Sequence, residues 1–316
     1  WDIISQHGKR VIVLGVPQTY PVSTLNGYMV ADFLAPDTSV QYTYPASLKN
    51  EIGDYILDVA DFRTNDKSAL LKRIHAMMNN RFDTAQYLMD TKPWDFFMMV
   101  EMGIDRIHHA FWGFCDPNHP AYDPDGPYRH VIRDYYQAVD ARVGDLVARA
   151  GADTAVIVVS DHGAKRMHGG VRINQWLINE GYLTINPPMP PSGRIEECDI
   201  DWAQTKAWAA GGYYGRIFLN VVGREPNGIV PPDQYDSMCQ TLIQRLENMA
   251  APNGLLLKNE AFRPKELYKT VNGVPPDILV YFGRLDWRAI GTVDQNSLYT
   301  VNNDTGPDDA NHSHYG

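Results

Sequence analysis

Three features of the 316-residue sequence predict an α/β fold: apolar, β-branched runs of strand length, amphipathic runs of helix length between them, and Gly or Pro stops where one gives way to the other. Strands separated by helices make βαβ units, whose strands run parallel and are covered on both faces. The expected architecture is therefore a three-layer α/β/α sandwich with a mainly parallel central sheet.

The elements follow in order. Residues 10–16 (RVIVLGV), stopped by Pro17, read as a buried strand. Across 68–90, apolar residues recur at intervals of three and four (Leu70, Leu71, Ile74, Met77, Met78, Phe82, Ala85, Leu88, Met89), which is one face of a helix. Residues 94–102 (WDFFMMVEM), closed by Gly103, form the next strand. A second helix covers about 128–150, with Ile132, Tyr135, Val139, Val143 and Leu146 on one side and Gly151 at its end. Residues 154–160 (TAVIVVS) read as another strand of the same sheet, and 277–282 (DILVYF) as the last. Four prolines in 186–193 (NPPMPPSG) exclude regular structure there. The segment from about 186 to 269, with a strand-like run at 216–222, is expected to be a cap or insertion within one domain spanning 1–316. The polar, Gly- and Asp-rich residues 302–316 are expected to form a loop.

Composition narrows the function. Hydrophobic residues make up 44% and charged residues 21%, the balance of a folded globular protein. A net charge of −10 argues against a nucleic-acid duplex as partner, which calls for a basic face. It leaves room for a small phosphorylated substrate, because metal ions supply positive charge locally. No apolar run reaches the roughly 18 residues of a membrane span. Cys115, Cys198 and Cys239 fit no metal-binding spacing, so they read as free thiols of a reducing, cytoplasmic compartment.

Two clusters follow the two best strands: Asp105 with His108 and His109, and Asp161-His162-Gly163. In open α/β sheets ligands bind beyond the carboxyl ends of strands, and Asp and His are the donors that Zn²⁺ or Mn²⁺ takes. If a helix starts at Asp105, His109 lies one turn on along the same face, while His108 points about a quarter-turn away. Each Asp also fits a plainer role as a helix N-cap. A third group, Asp308-Asp309-Ala310-Asn311-His312, brings carboxylates and a histidine near the end. His168, Lys165 and Arg166, just past the Asp-His-Gly run, fit either a substrate-facing loop or a solvated rim. The stretch AAGGYYGR, with Gly211, Gly212, Tyr213 and Tyr214, fits a ligand-approaching loop or a tight turn.

VEMGIDRIHHAFW, VIVVSDHG and the terminal NHSHYG together resemble the type I phosphodiesterase and nucleotide pyrophosphatase branch of the alkaline phosphatase superfamily. VPQTYP, VRINQWLINEGYL and NDTGPDDANH are similar to a prokaryotic group of phosphohydrolases or phosphomutases within it. The resemblance implies an alkaline phosphatase-like fold and two divalent ions, Zn first and Mn second, acting on a phosphate-ester small molecule. It implies one metal held by Asp105, His109 and His312, with His314 as a neighbour rather than a ligand. The other metal is expected to take Asp161 and His162, plus an Asp and a Thr or Ser nucleophile upstream of Trp1. A phosphomutase and a non-catalytic, metal-stabilised binding protein are the alternatives.

Overall fold

The computed structural model describes residues 1–119, 122–188, 190–301, 309–313 and 315. It comprises two compact units, Trp1–Ser160 and Asp161–Gly316.

The first unit runs α1 (Asp2–Gln6), β1 (Val11–Leu14), β2 (Gly27–Val30), β3 (Thr43–Tyr44), α2 (Leu48–Ile52), α3 (Lys67–Thr91), β4 (Phe96–Met99), α4 (Gly103–Cys115) and α5 (Val131–Ala150). Its sheet has the order β3-β2-β1-β4, with β1 parallel to both β2 and β4 and β3 antiparallel at one edge. All four residues of β1 are buried, as a central parallel strand requires. Asp66 caps α3, its carboxylate accepting from Ala69 N at 3.1 Å. The face of α3 read from its three-and-four spacing is the buried one, and Ile74, Met77 and Phe82 pack there with Ile107 and Phe111 of α4 and Tyr135 of α5. Burying each of these large side chains contributes roughly 1.5 to 3 kcal/mol.

The second unit contains β5 (Gly163–Arg166), β6 (Gly169–Arg172), α6 (Ile173–Asn179), β7 (Ser192–Arg194), β8 (Ala207–Ala210), β9 (Gly215–Leu219), α7 (Tyr235–Glu247), β10 (Glu260–Phe262), α8 (Pro264–Leu267), β11 (Ile278–Tyr281), β12 (Trp287–Ile290), β13 (Thr292–Asp294), β14 (Tyr299–Thr300) and β15 (Ala310–Ser313). Its largest sheet, β10-β11-β9-β8, is antiparallel throughout. Smaller ladders join β12-β6-β14, β13 to β7, and β15 to β5.

The chain is thus mixed α/β, and three expectations are corrected. Residues 154–160 form no strand; Ile157, Val158 and Val159 are about four-fifths exposed (81, 78 and 80%). Strand preference expresses packing and ladder partners, and this run has no ladder among the described residues. Residues 277–282 do contain a strand, β11, but it pairs antiparallel with β9 and β10 and not with β1 and β4. An apolar run encodes burial and carries no direction, so pairing sense was not readable from it. Finally, Ala310–Ser313 is a strand where a loop was expected, because β5 supplies a backbone partner that polar composition does not reveal. Asp308, His314 and Gly316 lie outside the described residues.

Candidate metal centre

Asp105 and His109 occupy the first turns of α4, four residues apart, so the helical repeat sets them on one face. Asp105 Oδ1 lies 3.2 Å from His109 Nε2. Two donors about 2.1 Å from a shared tetrahedral ion are roughly 3.4 Å apart, so this pair fits two corners of such a shell. His109 is 1% exposed and Asp105 is 20% exposed at its side chain. The N-cap role for Asp105 is excluded: Met102 holds that position, and Glu101 Oε1 accepts from Gly103 N at 2.8 Å.

The neighbouring side chain fixes the carboxylate. Arg106 donates Nη1 to Asp105 Oδ2 at 2.7 Å, and Nε and Nη2 to the two oxygens of Asp58 at 2.9 and 2.6 Å. A guanidinium fork is rigid and planar, so Asp105 is held with Oδ2 engaged and Oδ1 turned toward His109. Asp58 and Arg106 were not singled out in the sequence. The available signal was a cationic residue at 106 beside Ile107, Ala110 and Phe111, which α4 buries. Below them, Tyr135 Oη donates to Glu101 Oε1 at 2.9 Å, and burial, followed by the Glu101 charge, pushes this phenol far above its ordinary range.

His108 is turned away, as its position on the helix predicts. Its Nε2 lies 3.3 Å from Tyr136 Oη and its ring stands edge-on to Trp112.

In the second unit, His162 and His312 are brought together. Their rings stack with centroids 3.5 Å apart and 14° between planes, and Tyr213 stacks on the other side of His312 at 3.5 Å. The β15–β5 register creates this contact by placing His312 opposite Ala164, two residues beyond His162. Asp161 is different: its side chain is 86% exposed, and its carboxylate lies 3.8 Å from His162 Nε2. The element that follows Asp161 is the strand β5, so Asp161 caps no helix. Lys165 bonds Asp286 at 2.5 Å and the Arg284 carbonyl at 3.1 Å, and Arg166 Nη2 lies 2.9 Å from His168 Nε2.

Paired Asp and His donors on an α/β framework are the equipment of metal-assisted ester hydrolases. Within that class, the chain belongs to the type I phosphodiesterase / nucleotide pyrophosphatase family, a branch of the alkaline phosphatase superfamily, which matches residues 1–308. Asp105, His109, Asp161 and His162 fall inside the matched residues, and His312 lies beyond them. No curated protein matches the chain.

Proposed function

We propose that the chain is a metal-dependent phosphoric ester hydrolase acting on phosphodiester or nucleotide pyrophosphate substrates. The observation that carries this is the Asp105–His109 pair, whose 3.2 Å spacing suits two ligands of one ion, in a chain whose family hydrolyses phosphoric esters. Asp105, His109 and His312 hold one divalent ion in this reading, Zn²⁺ or Mn²⁺. Asp161 and His162 contribute to a second.

Such a pair of ions supplies Lewis-acid charge to the phosphoryl oxygens. The chain's own residues do the orienting. Arg106 holds Asp105 through Oδ2, so its Oδ1 keeps its aim toward His109. Tyr213 and His162 sandwich the His312 ring, which fixes its plane. The same proposal treats 1–316 as one catalytic α/β domain of three-layer architecture with a cap at about 186–269. Support comes from the parallel β2-β1-β4 core.

The test is hydrolysis of bis-p-nitrophenyl phosphate and p-nitrophenyl phosphate by the metal-loaded protein. Release from the diester that requires Zn²⁺ or Mn²⁺ and disappears in Asp105→Ala is the expected result. Release from neither ester by a metal-loaded protein overturns the hydrolase reading and favours a phosphomutase or a non-catalytic, metal-stabilised binding protein.

A further inference from the structure

Beside the stacked rings of the second unit lies a small pocket that the metal ligands do not use. It encloses about 270 Å³, and its walls bring together Arg194, Arg216 and Arg288, with Glu196 and the backbone of Gly211 and Gly212. Three arginines and one glutamate line it, Arg194 and Glu196 lying 3.7 Å apart, so its lining carries a positive balance in a protein whose net charge is −10.

The pocket is built rather than incidental. Gly212 exchanges hydrogen bonds with Ala289, its N–H donating at 2.8 Å and its carbonyl accepting at 3.1 Å. A Cβ at Gly211 would come within 2.7 Å of the Ala289 carbonyl oxygen, so only glycine lets the two backbones close this wall. Arg216 Nη2 donates to the Gly211 carbonyl at 2.8 Å, which orients its guanidinium along the wall. Arg288 is 7% exposed and sits 4.4 Å over the ring of Tyr213, the ring that stacks on His312. A continuous line of contacts therefore runs from the pocket through Arg288 and Tyr213 to a candidate metal ligand.

We propose that this pocket of the second unit is an oxyanion subsite that takes a small anionic substituent of the substrate. The inference rests on the hydrolase reading above and narrows its substrate class to phosphoesters carrying a second phosphate or carboxylate. A volume of about 270 Å³ falls below the range of about 300 to 1,000 Å³ typical of sites for drug-sized organic ligands, so a compact anion fits better than a nucleoside. Guanidinium forks match the geometry of both phosphate and carboxylate oxygens.

The test is isothermal titration of the metal-free protein with inorganic phosphate, pyrophosphate and malonate. Metal-free protein is used so that no anion is held by an ion. Saturable binding that weakens with added salt, and about tenfold further in Arg216→Gln, is the expected result. Tighter binding of pyrophosphate assigns a phosphoryl substituent; tighter binding of malonate assigns a carboxylate. Arg216 is exposed, so its substitution spares the fold, and Arg288→Gln serves as the second variant, with circular dichroism as its folding control. Binding seen only after metal is restored, or unchanged in Arg216→Gln and folded Arg288→Gln, overturns the subsite. Those outcomes leave the metal centre standing, whereas failure of metal binding with anion binding intact sinks the hydrolase reading alone.

Discussion

Arg106 and Asp105, adjacent on α4, are joined by a 2.7 Å bond from Nη1 to Oδ2, while the rest of the guanidinium grips Asp58. Arg106→Met removes the fork and frees the Asp105 carboxylate to rotate. Zn²⁺ affinity is expected to fall about tenfold to a hundredfold, the usual cost of losing a residue that orients a ligand. Competition with a chromophoric chelator measures it. An unchanged affinity in the folded variant refutes the orienting role.

Metal content distinguishes the two clusters. After dialysis the chain is expected to hold close to one ion, because Asp161 is largely exposed and, among the described residues, belongs to no group of three donors. Asp105→Ala and His312→Ala are expected to abolish that ion. His108→Ala leaves it, since His108 faces Tyr136 and Trp112. Plasma emission spectroscopy gives the count, and two retained ions would contradict it.

Gly103 allows Tyr135 and Glu101 to meet at the start of α4. A Cβ there would lie 1.8 Å from Tyr135 Oη and 2.4 Å from Glu101 Oε1. Gly103→Ala is expected to destabilise the protein by about 2 to 3 kcal/mol through overpacking. Urea unfolding reads this directly, and a change below about 0.5 kcal/mol would show that the tyrosine gives way freely.

The raised Tyr135 phenol has a pH consequence with a definite sign. Burial comes first among its causes, then the Glu101 charge, and both favour the neutral form in the folded protein. In the unfolded chain the phenol ionises near pH 10. Its contribution is therefore complete below about pH 10 and is lost progressively as pH rises above it. Tyr135→Phe is expected to have a shallower alkaline fall in stability than the wild type, measured by urea midpoints between pH 8 and about 11. Parallel curves would exclude Tyr135 as the source.

Residues 156–159 present an exposed apolar run of the kind that pairs with other chains. Ile157→Lys and Val159→Lys are expected to raise solubility without lowering the unfolding midpoint. Amide exchange across 155–159 should be as fast as in an unstructured peptide. Strong protection there in a monomer would mean that the run has a partner after all.

Helix positions were legible because three-and-four spacing reports a buried face directly: α3 and α5 lie where Leu70, Ile74, Phe82, Tyr135 and Val139 put them. The Asp105–His109 geometry was legible for the same reason, being fixed by helical repeat alone. Strand pairing was not, since 154–160 and 277–282 look alike as apolar runs and differ only in what lies beside them. The Asp58–Arg106 fork spans 48 residues, and nothing local to either residue announces the other. His312 lay between these extremes, its residue type visible and its ladder hidden.

That ladder sets a clock. β15 is four residues long and pairs with β5 through Ala310–Arg166, Asn311–Lys165, His312–Ala164 and Ser313–Gly163. Side chains alternate along a strand, so a slip by one residue turns His312 to the opposite face. What resists the slip is Asn311, fully buried, its amide donating to the Leu285 carbonyl at 2.6 Å. A two-stranded ladder of four pairs opens locally far more often than a whole domain unfolds. The residence time of whatever His312 grips is accordingly governed by the unzipping of four residues and the release of one amide. Stabilising the rest of the protein will leave that off-rate almost untouched.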